Sequence, residues 1–269
     1  MGHMRLGKIP TTRKWIEVTA LVAGTGTGNT ARTALLTDDI ELVAAQTLKA
    51  AQVGLGKAID DAGLRYTFYL LTQIVLSARE GDWQERLTTF GIHLSEDATL
   101  FDLTSEVQAS IDDWILARGR ATDVSEMAQQ AVGEAINALA GPKATTLFGS
   151  GRDELRIAIR EFSTKTGFAQ LGQNFFGQFM ARFLNFYLSR VTAAHTGQQR
   201  LQQVGDLTAF NYVLQRHCRQ SAAIVRDFCG EWYSKTEFQQ GIDLANTSGF
   251  MAVALKKLQA ELVRQELTS

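Results

Sequence analysis

The sequence predicts an all-α protein, a compact multi-helix bundle of about eight to ten helices with little or no β-sheet. Three observations carry that expectation. Pro10 and Pro142 are the two prolines in 269 residues, so 131 consecutive positions between them avoid the residue that most disrupts helix interiors. Apolar side chains recur at intervals of three and four, as in Leu64, Phe68, Leu71, Val75 and Ala78, and again in Leu100, Leu103, Val107, Ile111 and Trp114. Carboxylate versions of the capping box, Asp38 with Glu41, Asp82 with Glu85 and Asp123 with Glu126, stand where such helices would begin.

The chain divides by expectation into a cloning remnant at 1–4 and one helical domain over 5–269, with a subdivision considered near Pro142. The first helix is placed at 12–22. Its run WIEVTALV is rich enough in β-branched residues for a strand, but Trp15, Val18, Leu21 and Val22 share a helical face, and the helix is favoured. LVAGTGTGNTART follows, with three glycines alternating with threonines. A Walker loop needs a lysine directly after its last glycine, where Asn29 stands, and a dinucleotide loop needs a third glycine where Asn29 again stands. The stretch therefore reads as a mobile linker, with an anion site at Gly26 to Thr30 as the lesser reading.

Helices follow at 38–60, at 64–79, which is apolar nearly all round and so predicted to be central, at 82–90 and at 98–118. Helix 123–140 places Ala128, Ala131, Ala135 and Ala138 on its inner side, which invites close approach by a neighbour. Beyond 151–163 comes 167–194, where Phe175, Phe176, Phe179 and Phe183 crowd together and Gly172 and Gly177 leave room for a crossing helix. Such a block reads first as core and second as a protein interface. The last helices are placed at 206–234 and 246–265. Gly91, Gly119, Gly141, Gly149 and Gly241 are expected as stops or turns.

Several function classes lose support on composition. The chain carries 27 Lys and Arg against 28 Asp and Glu, so its formal charge of −1 supplies no global field for nucleic acid or acidic membrane. The charge is uneven, however, with 13 basic and 18 acidic residues up to Gly151 against 14 and 10 after it. The longest apolar run, FYLLTQIVLSA, is too short to span a bilayer, and a cytoplasmic location is expected. Cys218 and Cys229 lie eleven positions apart, roughly 16 Å along one helix and outside disulfide reach. No zinc spacing or Glu-x-x-His pair occurs, so no metal, cofactor or catalytic residue is predicted. Ser150 lacks a nucleophile elbow, the doublets Asp38-Asp39, Asp60-Asp61 and Asp112-Asp113 read as helix ends and wet faces, and His93 reads as a solvated loop residue.

On helix 206–234, Leu207, Phe210, Leu214, Cys218, Ser221, Val225, Cys229 and Trp232 form an inward stripe. Arg216, Arg219 and Arg226 fall within about 80° of one another on the other side at 100° per residue, with no aromatic residue interleaved. Lys256 and Lys257 add to this basic half, which is the candidate face for an anionic partner. The expected function is a non-enzymatic cytosolic helical subunit or adaptor of a bacterial multi-protein system, of the kind that serves antiviral defence, with a protein partner or a homo-oligomer. The alternatives are a nucleic-acid-binding module that uses the basic face, and an unrecognised enzyme working through His93 or His195.

Overall fold

In the computed structural model, which describes residues 12–24, 37–119, 121–144, 151–197 and 201–266, the chain forms twelve α-helices, one short 3₁₀ turn and no strand among those residues. The helices are α1 (Arg13–Ala23), α2 (Thr37–Ala50), α3 (Gln52–Ile59), α4 (Ala62–Ser77), α5 (Trp83–Thr88), α6 (Leu100–Leu116), α7 (Asp123–Ala144), α8 (Arg152–Arg160), α9 (Lys165–His195), α10 (Val204–Ser221), α11 (Ala223–Gln240) and α12 (Leu244–Glu266). The all-α class holds, and the count exceeds the expected eight to ten because two segments predicted as single helices each bend into two. Segment 38–60 breaks at Ala51 (φ −90°, ψ 6°) and segment 206–234 at Ala222 (φ −67°, ψ −9°). Neither break has a proline or glycine at its bend. At each, a buried alanine rotates to ψ near zero, and at the second the Val225 N–H donates three residues back to the Ala222 carbonyl.

Trp15 to Val22 is helix, with Trp15, Val18 and Val22 turned inward. Gly24, at φ 75°, ends α1 in the left-handed conformation and donates to the Ala20 and Leu21 carbonyls. The remainder of the glycine stretch, like residues 1–4, Gly149 and Ser150, lies outside the described residues. Gly91, Gly119 and Gly241 have positive φ and stand between helices as expected. Gly141 and Pro142 do not stop α7, which runs on to Ala144. Pro142 falls in the last turn, where its missing N–H leaves the Ala138 carbonyl without a helical donor. Ala138 itself is exposed, whereas Ala128, Ala131 and Ala135 are buried.

The start of α7 is capped one residue earlier than predicted. Thr122 and Ser125 exchange hydrogen bonds between side chain and backbone at 2.9 and 3.0 Å. Thr99 and Asp102 form a full capping box on α6. Asp61 accepts from the Leu64 N–H at the start of α4 and from the Thr122 hydroxyl at 2.7 Å, joining the beginnings of α4 and α7.

Two helices organise the packing. α9 lies against α7, α10 and α11, and α4 lies against α6, α7 and α12. They meet through rings: Phe68 of α4 sits 5.3 Å from both Phe175 and Phe176 of α9 and 5.9 Å from Phe168. Phe250 of α12 and Trp232 of α11 close the same cluster, at 5.4 and 6.1 Å from Phe68. Each such buried ring contributes about 1.5–3 kcal/mol by leaving water. The glycines of α9 serve as predicted: a Cβ on Gly172 would lie 2.2 Å from the Cys229 sulfur, and one on Gly177 2.8 Å from the Arg219 Cα. Side chains at those positions would hold α11 and α10 away.

Candidate interaction surface

Phe175, Phe176, Phe179 and Phe183 are 0–2% exposed. Their faces are filled by neighbouring rings of the same chain, so within this fold they serve the core and present no surface to a partner. The large apolar side chains that do reach solvent are scattered over other helices, with Phe101 at 75% and Phe238 at 88% exposure the most open.

The five cations of the predicted basic face do not form one surface. The bend at Ala222 assigns Arg216 and Arg219 to α10 and Arg226 to α11. Arg226 lines a cleft between the first turn of α9 and α11, together with Lys165, Gln170, Asp227 and Glu231. There its Nε lies 3.2 Å from Asp227, and Lys165 lies 3.5 Å from Glu231, so the charges of the cleft compensate one another. Lys257 reaches over the Phe228 ring, 5.3 Å from its centroid. Phe228 is two residues, or about 200°, around α11 from Arg226, which places Lys257 on another side of that helix. Lys256 is exposed.

Arg216 and Arg219 remain together, both exposed, and among the described residues neither guanidinium has an ion-pair partner. Tyr212, four residues before Arg216, is 64% exposed. At 100° per residue the three side chains span about 60° of α10, with the ring one turn before Arg216 and about two turns before Arg219. No aromatic residue is interleaved between the two arginines, but the exposed Tyr212 extends their stripe by one turn toward the start of α10. The opposite side of α10 holds Phe210, Leu214 and Cys218 in the core, and the Gln173 side chain donates to the Arg219 carbonyl at 3.2 Å, fastening this turn of α10 to α9.

The other candidate chemistries are accounted for by local structure. His93 is exposed, and its backbone N–H donates to Glu106. The His195 ring turns its Nδ1 to the Val191 carbonyl of its own helix at 2.7 Å. Cys218 and Cys229 are free thiols in the core, and burial pushes both up, Cys218 to about 12. Burial also raises the Tyr233 hydroxyl, with the nearby Arg79 opposing and Glu237 adding. Asp61 is the α4 cap, Asp60 pairs with Arg65 at 2.8 Å, and Asp112 and Asp113 are exposed. Among the described residues no group of His, Cys, Asp and Glu is arranged to hold a metal ion, and no helix is long and apolar enough to cross a membrane. Compared with protein-family models, curated proteins and solved structures, the chain has no match.

Proposed function

We propose that this chain is a non-enzymatic helical subunit or adaptor that works by contact with another protein, and that the Tyr212, Arg216 and Arg219 face of α10 makes the contact. The observation that carries the reading is the pair of guanidinium groups without ion-pair partners among the described residues, on the same stripe of α10 as an exposed phenol ring. Tyrosine and arginine supply a disproportionate share of interface energy, because each offers a large flat surface together with hydrogen-bond donors. Two arginines without carboxylates of their own are complementary to an acidic patch, which they can engage bidentately. The Arg219 backbone is anchored against α9 through the close approach at Gly177, so the ordering cost of binding falls on the side chains and not on the helix.

A protein patch suits this face better than a nucleic acid. A phosphate backbone is tracked by a continuous basic stripe, whereas here Arg226 is compensated by Asp227 and Lys257 lies on another side of α11. The test is purification of the tagged chain from native cells beside a Tyr212→Ala, Arg216→Glu, Arg219→Glu variant. A stoichiometric protein partner retained by the parent and lost by the variant, at equal melting temperature, is the expected result. A partner held equally by both refutes the assignment of the face. Salt-sensitive binding of DNA or RNA lost in the same variant establishes the nucleic-acid alternative instead.

A further inference from the structure

We propose that the acidic partner of the α10 face is a second copy of this chain, which meets it with the exposed face of α6 around Asp112, Asp113 and Leu116. The inference rests on the reading of Tyr212, Arg216 and Arg219 as a contact face. At 100° per residue Phe101, Asp112 and Leu116 fall within about 60° of one another on α6. All three are exposed, Phe101 at 75% and Leu116 at 65%, while Leu103, Val107 and Ile111 hold the opposite side of the helix in the core. The outer face of α6 thus combines open apolar surface with carboxylates. That is the complement of a phenol ring followed by two guanidinium groups.

Asp112 and Asp113 lack positive charge nearby. Among the described residues neither has an ion-pair partner. They lie toward the carboxyl end of α6, whose last turn holds no basic residue, and there the helix dipole itself opposes negative charge. Arg118, just past that end, reaches back over the Trp114 ring, 4.2 Å from its centroid, and Trp114 is about 160° around the helix from Asp112. Asp123 and Glu126 have no such need, because they stand in the first turn of α7, where the dipole favours them. Within one chain the two faces do not compensate each other: α6 packs on α4 and α7, α10 packs on α9 and α2, and no ion pair joins them among the described residues. Two copies can bring them together. Tyr212 precedes Arg216 by four residues and Asp112 precedes Leu116 by four. With the two helices antiparallel, the ring therefore rests on Leu116 while Arg216 meets Asp112, and Arg219 lies about 4.5 Å along the axis from the same carboxylate. Since the two faces differ, the contact is head-to-tail and builds a ring or an open chain of copies.

The test is analytical ultracentrifugation of the full chain at low salt, beside two charge-exchanged variants. The parent's mass should rise with concentration above that of the monomer and fall back as salt is added. Arg216→Glu, Arg219→Glu sets carboxylates against carboxylates, and Asp112→Arg, Asp113→Arg sets guanidinium groups against guanidinium groups. Each variant alone, while folded, should associate about a hundredfold more weakly than the parent. An equal mixture of the two again places opposite charges at every contact, so association should return, which an unfolded variant cannot bring about. A parent that stays monomeric, association that survives in either folded variant, or a mixture of folded variants that stays monomeric each overturns the proposal. Should a charge exchange prevent folding, Asp112→Asn, Asp113→Asn keeps the side-chain size and should weaken association about tenfold; no weakening overturns the proposal equally. A monomeric parent that still captures a different protein through Arg216 and Arg219 leaves the contact face standing and removes only the second copy.

Discussion

Replacing Gly177 with alanine tests the close crossing of α9 and α10 on which the proposed contact face depends. A Cβ there would stand 2.8 Å from the Arg219 Cα, 3.2 Å from its Cβ and 3.4 Å from its nitrogen. Carbon atoms in ordinary contact sit about 3.5–4.0 Å apart, so the two backbones must part by up to roughly 1 Å, and the obstacle is main chain that cannot swing aside. Overpacking of this kind costs about 1–3 kcal/mol. Against it, alanine in a helix interior is favoured over glycine by about 1 kcal/mol, leaving a net loss of about 1 kcal/mol. Gly249 in α12 is the control, because a Cβ there meets nothing within 4 Å and the full propensity gain of about 1 kcal/mol should appear. The two variants should then differ by about 2 kcal/mol, or roughly 4–8 °C in Tm for a chain of this size. Thermal melts followed by circular dichroism read the difference directly. If Gly177→Ala melts at or above Gly249→Ala, the close packing of α10 on α9 is wrong.

Two further outcomes follow from the core. Phe68→Ala removes the ring that joins α4 to α9, α11 and α12 and should cost about 3–5 kcal/mol in denaturant unfolding, where a loss near 1 kcal/mol would mean the ring cluster is not packed as described. The two buried thiols predict a stability that falls on the alkaline side. Unfolded cysteine ionises near pH 8.5 while the folded thiols stay protonated, Cys218 to about 12. Above pH 8.5 the unfolded state thus binds fewer protons and is favoured, so the stability conferred by the neutral thiols is present below that pH and is lost as pH rises toward the folded values. Under reducing conditions the decline between pH 8.5 and 9.5 should be about 2 kcal/mol for the pair, and it should vanish in a Cys218→Ala, Cys229→Ala variant. A flat profile in the parent refutes the burial of these groups.

What could be read from the residues was whatever depends on one helix at a time. The helical class, the buried character of α4, the glycines of α9 and the inward stripe from Phe210 to Cys229 all follow from spacing, because a helix carries its own geometry and needs no neighbour to show which residues share a face. For Trp15 to Val22 spacing only favoured the helix over a strand, and the structure makes it helix, with Trp15, Val18 and Val22 turned inward. The exposed Tyr212 was legible too, four residues before Arg216, had the face been centred on those residues alone.

Only the tertiary structure decided the rest. Ala51 and Ala222 mark bends without a proline or glycine at either position, since the turn in the chain comes from how the flanking helices must lie on α9 and α12, which no local preference records. The second bend separates Arg226 from Arg216 and Arg219 and so determines which cations share a surface. The stacking of Trp15 on Tyr187 and the bond between Asp61 and Thr122 join residues 172 and 61 positions apart. The pairing of α7 with α9, where Arg182 donates to Glu134 and Gln130, is likewise a property of two helices side by side, each contributing residues whose own spacing is ordinary.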